Sequence, residues 1–145
     1  MIKDVNLTPL RIINVPGGDV MHALKSSEVG FINFGEAYFS NIQFGVIKAW
    51  KRHRQMQLNL IIPIGRVKFV LFDDRNGVEN SVFQEVILSP ENYLRLTIPP
   101  LIWVGFQGLA KENSTLLNIA SIEHSDEELD RRSLNDINYS WELSK

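Results

Sequence analysis

Chemistry in this chain has few residues to draw on. There is no cysteine and there are three histidines, His22, His53 and His124. Thiolate metal sites, disulfides and cysteine nucleophiles are excluded together. His53 stands out by context. It ends the run Gly45-Val46-Ile47-Lys48-Ala49-Trp50-Lys51-Arg52-His53-Arg54, which places Lys48, Lys51, Arg52 and Arg54 within seven residues. Formal net charge is −2, so this basic cluster is local and suits a bound anion. Residues i and i+2 of a strand share a face, which sets Lys51 and His53 side by side. A histidine can serve as a general base while a neighbouring cation holds negative charge that develops beside it. Lys48 and Lys51 differ by three and face opposite sides unless a bulge intervenes near Ala49-Trp50. His22 and His124 read as surface residues.

The elements that would position these groups are short strands. The chain has 145 residues, 44% hydrophobic and 22% charged, enough for a real core in one domain, 1–145. Candidate strands are Gly30–Phe34, Ala37–Gln43, Val46–Lys51, Gln57–Ile62, Arg66–Asp73, Val82–Leu88, Tyr93–Ile98, Ile102–Leu109 and Thr115–Ile122. Turn signals separate them: Pro63-Ile64-Gly65, Ser89-Pro90-Glu91-Asn92, and Asp73-Asp74-Arg75-Asn76-Gly77 with its hairpin-forming Asn-Gly pair. Such spacing predicts an all-β sandwich or barrel rather than βαβ units. Residues 1–28 read as irregular, with a turn at Pro16-Gly17-Gly18-Asp19. Ser125-Asp126-Glu127-Glu128 reads as a capping box that opens one short helix closing at Arg131-Arg132. Residues 125–145 thus form a helix and a tail whose aromatics, Tyr139 and Trp141, pack back over the strands.

No apolar run reaches the roughly 18 residues of a membrane span, and the N-terminus has no secretory h-region. The charge balance lacks the basic excess of a nucleic-acid binder. The expectation is a cytoplasmic protein with neither nucleic acid nor membrane as partner. No dinucleotide or phosphate-loop glycine motif is present, and no cofactor is expected.

The stretch from Gly45 to His53, followed by Gln57 and Gly65, resembles the first motif of the cupin barrels. Lys51 stands at the first histidine of that motif, His53 at the second and Gln57 at the glutamate. Lysine and glutamine are poor metal ligands, and one histidine falls short of the three or four ligands a site needs. The resemblance therefore implies a barrel without metal.

A closer resemblance runs from about Gly35 to Trp141. It is carried by Gly45–Trp50, Phe72-Asp73-Asp74-Arg75, Leu88-Ser89-Pro90-Glu91-Asn92, Leu96-Thr97-Ile98-Pro99-Pro100, Gly105-Phe106, Asn135-Asp136 and Trp141. Together these resemble the dTDP-4-dehydrorhamnose 3,5-epimerase family and its shorter sugar-isomerase-like relatives. The resemblance implies a double-stranded β-helix (cupin or jelly-roll barrel), a homodimer, and a metal-independent epimerase or isomerase. The substrate it implies is a nucleotide-linked 4-keto-6-deoxy sugar of surface-polysaccharide synthesis. Carried over by position, Lys51 stands at the family's catalytic histidine, with His53 two residues on as the base and Asp136 as its orienter. Lys48 replaces an arginine that faces the diphosphate. Val104 replaces a second histidine, and Asn118 stands at the tyrosine proton donor. Asn59 and Lys51 would stabilise the enolate, while Arg52, Arg75 and Asn118 complete the substrate-binding set. The other function class is a cupin-like module that holds a sugar nucleotide or a partner domain without chemistry. Convergence of His53, Lys51 and Asn59 in one concave pocket would favour the enzyme.

Overall fold

Strand-forming runs dominate the fold. The computed structural model describes residues 1–142. The strands are β1 (Asn6–Pro9), β2 (Ile12–Ile13), β3 (Val20–Met21), β4 (Glu36–Ile42), β5 (Ile47–His53), β6 (Leu58–Ile64), β7 (Val67–Asp73), β8 (Val82–Leu88), β9 (Leu94–Ile98), β10 (Trp103–Gly108), β11 (Ser114–Ala120) and β12 (Leu129–Arg131). Two five-stranded sheets form, in the orders β1-β9-β6-β11-β4 and β12-β5-β10-β7-β8, and β2 pairs with β3 alone. All named strand pairs are antiparallel. This is the double-stranded β-helix that the family resemblance implies, within the all-β sandwich or barrel class that the strand spacing predicts.

Alternation fixes the core. On β7, Val67, Phe69 and Leu71 meet Leu58, Leu60, Leu96, Ile98 and Leu116 between the sheets. The opposite face of β7 carries Val70 and Phe72, which are buried too, with Trp50, Trp103 and Ile137 under Tyr139 and Trp141. The tail therefore packs back over the second sheet. Its last residues, 143–145, lie outside the described residues.

Two expectations are corrected. Gly30–Phe34 forms no strand. Instead the Gly30 carbonyl accepts bonds from Gln57 Nε2 and Asn59 Nδ2, both 2.9 Å, which hold the segment over the first sheet. A Cβ at Gly30 would stand 2.9 Å from the Arg95 guanidinium and 3.3 Å from Thr97 Oγ1, so a larger residue there would press on these side chains. Within residues 1–28 three short strands form, of which β1 pairs along β9, and the expected turn at Pro16–Asp19 joins β2 to β3. The helix at 125–132 is a single 3₁₀ turn, Asp126–Glu128, followed at once by β12. Ser125 makes no side-chain cap bond, and the Glu128 carboxylate is engaged elsewhere.

The parity problem in β5 is solved by a bulge. Lys51 lies opposite Val104 and Lys48 opposite Phe106, so β5 carries one extra residue against β10. That residue turns Lys48 and Lys51 to the same face. Gly105 makes room for it: a Cβ there would stand 2.8 Å from Ala49 Cβ and 2.9 Å from Trp141.

Candidate active site

A cavity of about 420 Å³ opens between the sheets, where β4 edges the first and β12 the second. Its apolar floor is Leu58, Leu60, Val104, Phe106 and Leu116. Its polar groups come from both walls: Tyr38 and Asn118 from the first sheet, and Lys48, Lys51, His53 and Arg131 from the second.

The His53 ring is held by a carboxylate. Nδ1 is hydrogen-bonded to Glu128 Oε1. The other carboxylate oxygen accepts the backbone N–H groups of Gln55 at 3.2 Å and Met56 at 3.3 Å. Burial pushes the Glu128 carboxyl up, but the hydrogen bonds from His53 and Gln55 outweigh it, and the net position is below the usual range. An ionised carboxylate only accepts, so Nδ1 carries the proton of the neutral ring. Nε2 is left as the nitrogen available to a substrate, the arrangement of a general base with an orienting acid.

Tyr38 stands on the facing wall. It is the direct cross-strand neighbour of Asn118, whose Nδ2 donates to the phenol oxygen at 2.9 Å. That oxygen already accepts a bond, so its own proton is free for another acceptor. Burial and the charge of Glu36 push the phenol up, against the bond from Asn118. Tyr38 therefore stays protonated at neutral pH and is fit to donate.

The cations are crowded. Arg131 lies directly opposite Lys51 in the β5–β12 register, where like charges repel. Burial, then Arg131 and Lys48, lower the Lys51 ammonium from its usual value. Lys48 Nζ donates to the Asn41 carbonyl at 3.0 Å. An anion placed among these groups would relieve their repulsion.

Several expected site residues lie elsewhere. Asn59 alternates away from Leu58 and Leu60 to the outer face, where its Oδ1 accepts from Arg95 Nε at 3.1 Å and Thr97 Oγ1 at 2.6 Å. Asp136 caps a 3₁₀ turn, accepting from the Ser133 N–H at 2.9 Å, and does not line the cavity. Arg52 reaches Asp130 at 2.8 Å and stacks 4.7 Å from the Trp103 ring centre. Arg75 is bound to Asp73 at 2.9 Å beside the β7–β8 connection. Strand parity sends Asn59 and Arg52 outward; local turn bonds hold Asp136 and Arg75.

Sequence reasoning missed Glu128, Tyr38, Arg131 and His124, all of which stand at the cavity except that Glu128 acts through His53. Tyr38 left one signal: Tyr38 and Ser40 alternate with Phe39, and the strand turns its polar side inward. Among the described residues, no group of three or more histidine or acidic side chains could hold a metal ion.

A double-stranded β-helix of the cupin type here carries a histidine–carboxylate pair and a tyrosine on facing walls of one cavity, an arrangement chemically able to move protons. No protein-family model matches the chain. A dTDP-sugar isomerase from Desulfovibrio desulfuricans G20 superposes with a TM-score of 0.92 at 34% identity, over 97% of this chain and 92% of that one. The chain belongs to the dTDP-sugar isomerase family. A probable low-salt glycan biosynthesis epimerase of Haloferax volcanii is 27% identical over 120 residues, 81% of this chain and 77% of that protein. The fold is shared with a dTDP-6-deoxy-D-glucose-3,5-epimerase from Legionella pneumophila, solved with dTDP-4-keto-L-rhamnose: TM-score 0.83, 21% identity, 99% of this chain and 81% of that one.

Proposed function

We propose that the protein is an epimerase or isomerase of a nucleotide-linked 4-keto-6-deoxy sugar, with dTDP as the nucleotide, serving surface-polysaccharide or glycan synthesis. The observation that carries this reading is the His53–Glu128 pair on one wall of the cavity and Tyr38 on the other. His53 Nε2 takes the proton beside the ketone. The electrons of that C–H bond move into an enolate, whose charge Lys51 stabilises. Tyr38 gives its proton to the carbon from the facing side, which inverts the centre. Lys48 and Arg131 hold the diphosphate. A module that binds without chemistry needs neither an oriented base nor a free phenol, so the binding-module alternative is not favoured.

The test is solvent deuterium exchange into dTDP-4-keto-6-deoxyglucose, followed by NMR. The wild type exchanges the proton beside the ketone and His53→Asn does not. No exchange by the wild type in spite of sugar-nucleotide binding would return the protein to the binding-module class.

We further propose that the protein is a cytoplasmic homodimer. Among the described residues, no helix is long and apolar enough to cross a membrane, and nucleotide-activated sugars are cytoplasmic substrates. A homodimer is supported by the seven-residue edge strand β4 and the exposed apolar side chains on and before it: Val29, Ile32, Phe34 and Phe39. Such edges and apolar groups are usually covered. Light scattering at micromolar concentration should give twice the 16.6 kDa chain mass; a monomer would refute the pairing.

A further inference from the structure

His53 is flanked in sequence by Arg52 and Arg54, and both arginines reach one carboxylate. Asp130 Oδ2 accepts from Arg52 Nε at 3.0 Å and Nη2 at 2.8 Å. Asp130 Oδ1 accepts from Arg54 Nε at 3.1 Å and Nη2 at 2.6 Å. Each carboxylate oxygen thus takes one guanidinium. Arg52 is held in turn by the Trp103 ring, 4.7 Å from its centre, and by Asp74 at 3.8 Å. Arg54 also grips the turn before β12. Its Nη1 donates to the Glu127 carbonyl at 2.9 Å, and its backbone N–H donates to the Glu128 carbonyl at 2.8 Å. An exposed ion pair alone contributes little, but several charges joined in a network fix a geometry.

That geometry bears on Glu128. Residues i and i+2 of a strand share a face. Arg52 and Asp130 meet on the outer side of the second sheet, while Leu129 and Arg131 line the cavity. A strand extended back through residue 128 would send Glu128 outward with Asp130, away from His53. The 3₁₀ turn Asp126–Glu128 ends there instead, and its last carboxylate turns to the His53 ring. β12 has three residues and lies at the edge of its sheet, and residues 123–127 before it are exposed. At its tip, the Glu128 side chain is held by the backbone of Gln55 and Met56. At its root, Asp130 and Arg54 set where the turn stops and the strand begins.

We propose that Asp130 is a positioning residue for catalysis: through Arg52 and Arg54 it locks the turn that holds Glu128 against the His53 ring. The inference rests on the assignment of His53 as the base. Asp130 does not touch the imidazole. It acts on the main chain two residues from Glu128, and the two arginines on either side of His53 tie the base and its orienting acid to one clamp.

The experiment uses the full chain and dTDP-4-keto-6-deoxyglucose. Asp130→Asn keeps the shape and removes the charge, and the backbone bonds between Trp50 and Arg132, 3.0 and 3.1 Å, keep β12 paired. Its kcat should fall by about 10-fold, less than the roughly 10²-fold that a misplacement of ~1 Å can cost, while KM stays within about twofold. In the Glu128→Gln background the same substitution should change kcat by less than about twofold, because the charge it positions is gone. Arg54→Ala opens the clamp at its exposed end and should repeat both results, which carries the test if Asp130→Asn does not fold. One readout needs no substrate. The proton resonance of His53 Nδ1–H should lie downfield in the wild type, and should move upfield and broaden in the variants. An unchanged kcat in the folded variants would overturn the positioning role. So would an unmoved resonance, or losses that multiply in the Glu128→Gln background, since a merely structural role predicts independent effects. An inactive wild type is a different failure: it would remove His53 as base, and the catalytic role of Asp130 with it.

Discussion

Asn118 lies directly opposite Tyr38 in the β4–β11 register and donates to its phenol oxygen at 2.9 Å. In the proposed mechanism the pairing relocates a function. Asn118 occupies the place where the resemblance puts a tyrosine donor, and an amide cannot deliver a proton as an acid. The neighbouring strand supplies the phenol from the adjacent position on the same wall. The loss of a tyrosine from β11 is therefore not the loss of a tyrosine from the cavity.

Tyr38→Phe should separate the two half-reactions. Turnover should fall by about 10²–10⁴-fold, while exchange of the substrate proton with solvent persists, because His53 is untouched. Product formation and deuterium incorporation, measured on one sample by NMR, check this. Equal loss of both would place Tyr38 in the first proton transfer instead.

Glu128→Gln keeps the shape but removes the charge that orients His53. The expected loss in kcat is about 10²-fold or more, by analogy with an orienting aspartate changed to its amide. Sugar-nucleotide affinity, measured by calorimetry, should change little. A kcat within about twofold of wild type would remove Glu128 from the mechanism.

Asn59 and Arg95 should matter to stability and not to rate. Arg95 is 1% exposed and bonds Asn59, the Ala23 carbonyl and Glu28. Removing one partner of such a buried network leaves polar groups unpaired. Asn59→Ala should cost about 1–3 kcal/mol, and Arg95→Ala about 3–5 kcal/mol, in denaturant unfolding. At temperatures where Asn59→Ala is folded, its kcat should match wild type. A kcat loss there would restore Asn59 to the site.

Acid should undock β12. The hydrogen bonds from Arg54 and then Arg52 hold the Asp130 carboxyl down to about 2, against 3.8 for the ordinary group. A carboxyl lowered in the folded state adds stability that is complete above the unfolded value and is lost as pH falls through the folded one. Stability should therefore decline as pH falls through that window, with Glu128 contributing in the same direction. Thermal unfolding between about pH 6 and pH 2 checks it. Asp130→Asn should be less stable at neutral pH and show a shallower acid loss.

Local pattern made much of the barrel legible. Val82–Leu88 was readable as a strand to its exact ends, because β-branched and aromatic residues end there at turn residues. The basic run beside His53 marked a place for an anion. The bulge near Ala49-Trp50 was visible only as a condition: if it existed, Lys48 and Lys51 would share a face. Register against β10 decided that it does. The partners of those residues were not legible. Glu128 lies 75 residues from His53 in sequence, and 80 separate Asn118 from Tyr38. Ser125–Glu128 carries a strong local helix signal, but long-range bonds to His53, Gln55 and Met56 take the Glu128 carboxylate. Asn59, Arg52, Arg75 and Asp136 had suitable chemistry at suitable positions, and parity or a nearby turn drew each away. A sequence by itself sets which side chains can accept, donate or carry charge, and how each strand alternates. Which of them share a cavity depends on how distant strands pair, and a shift of one residue in that pairing sends a side chain to the other face.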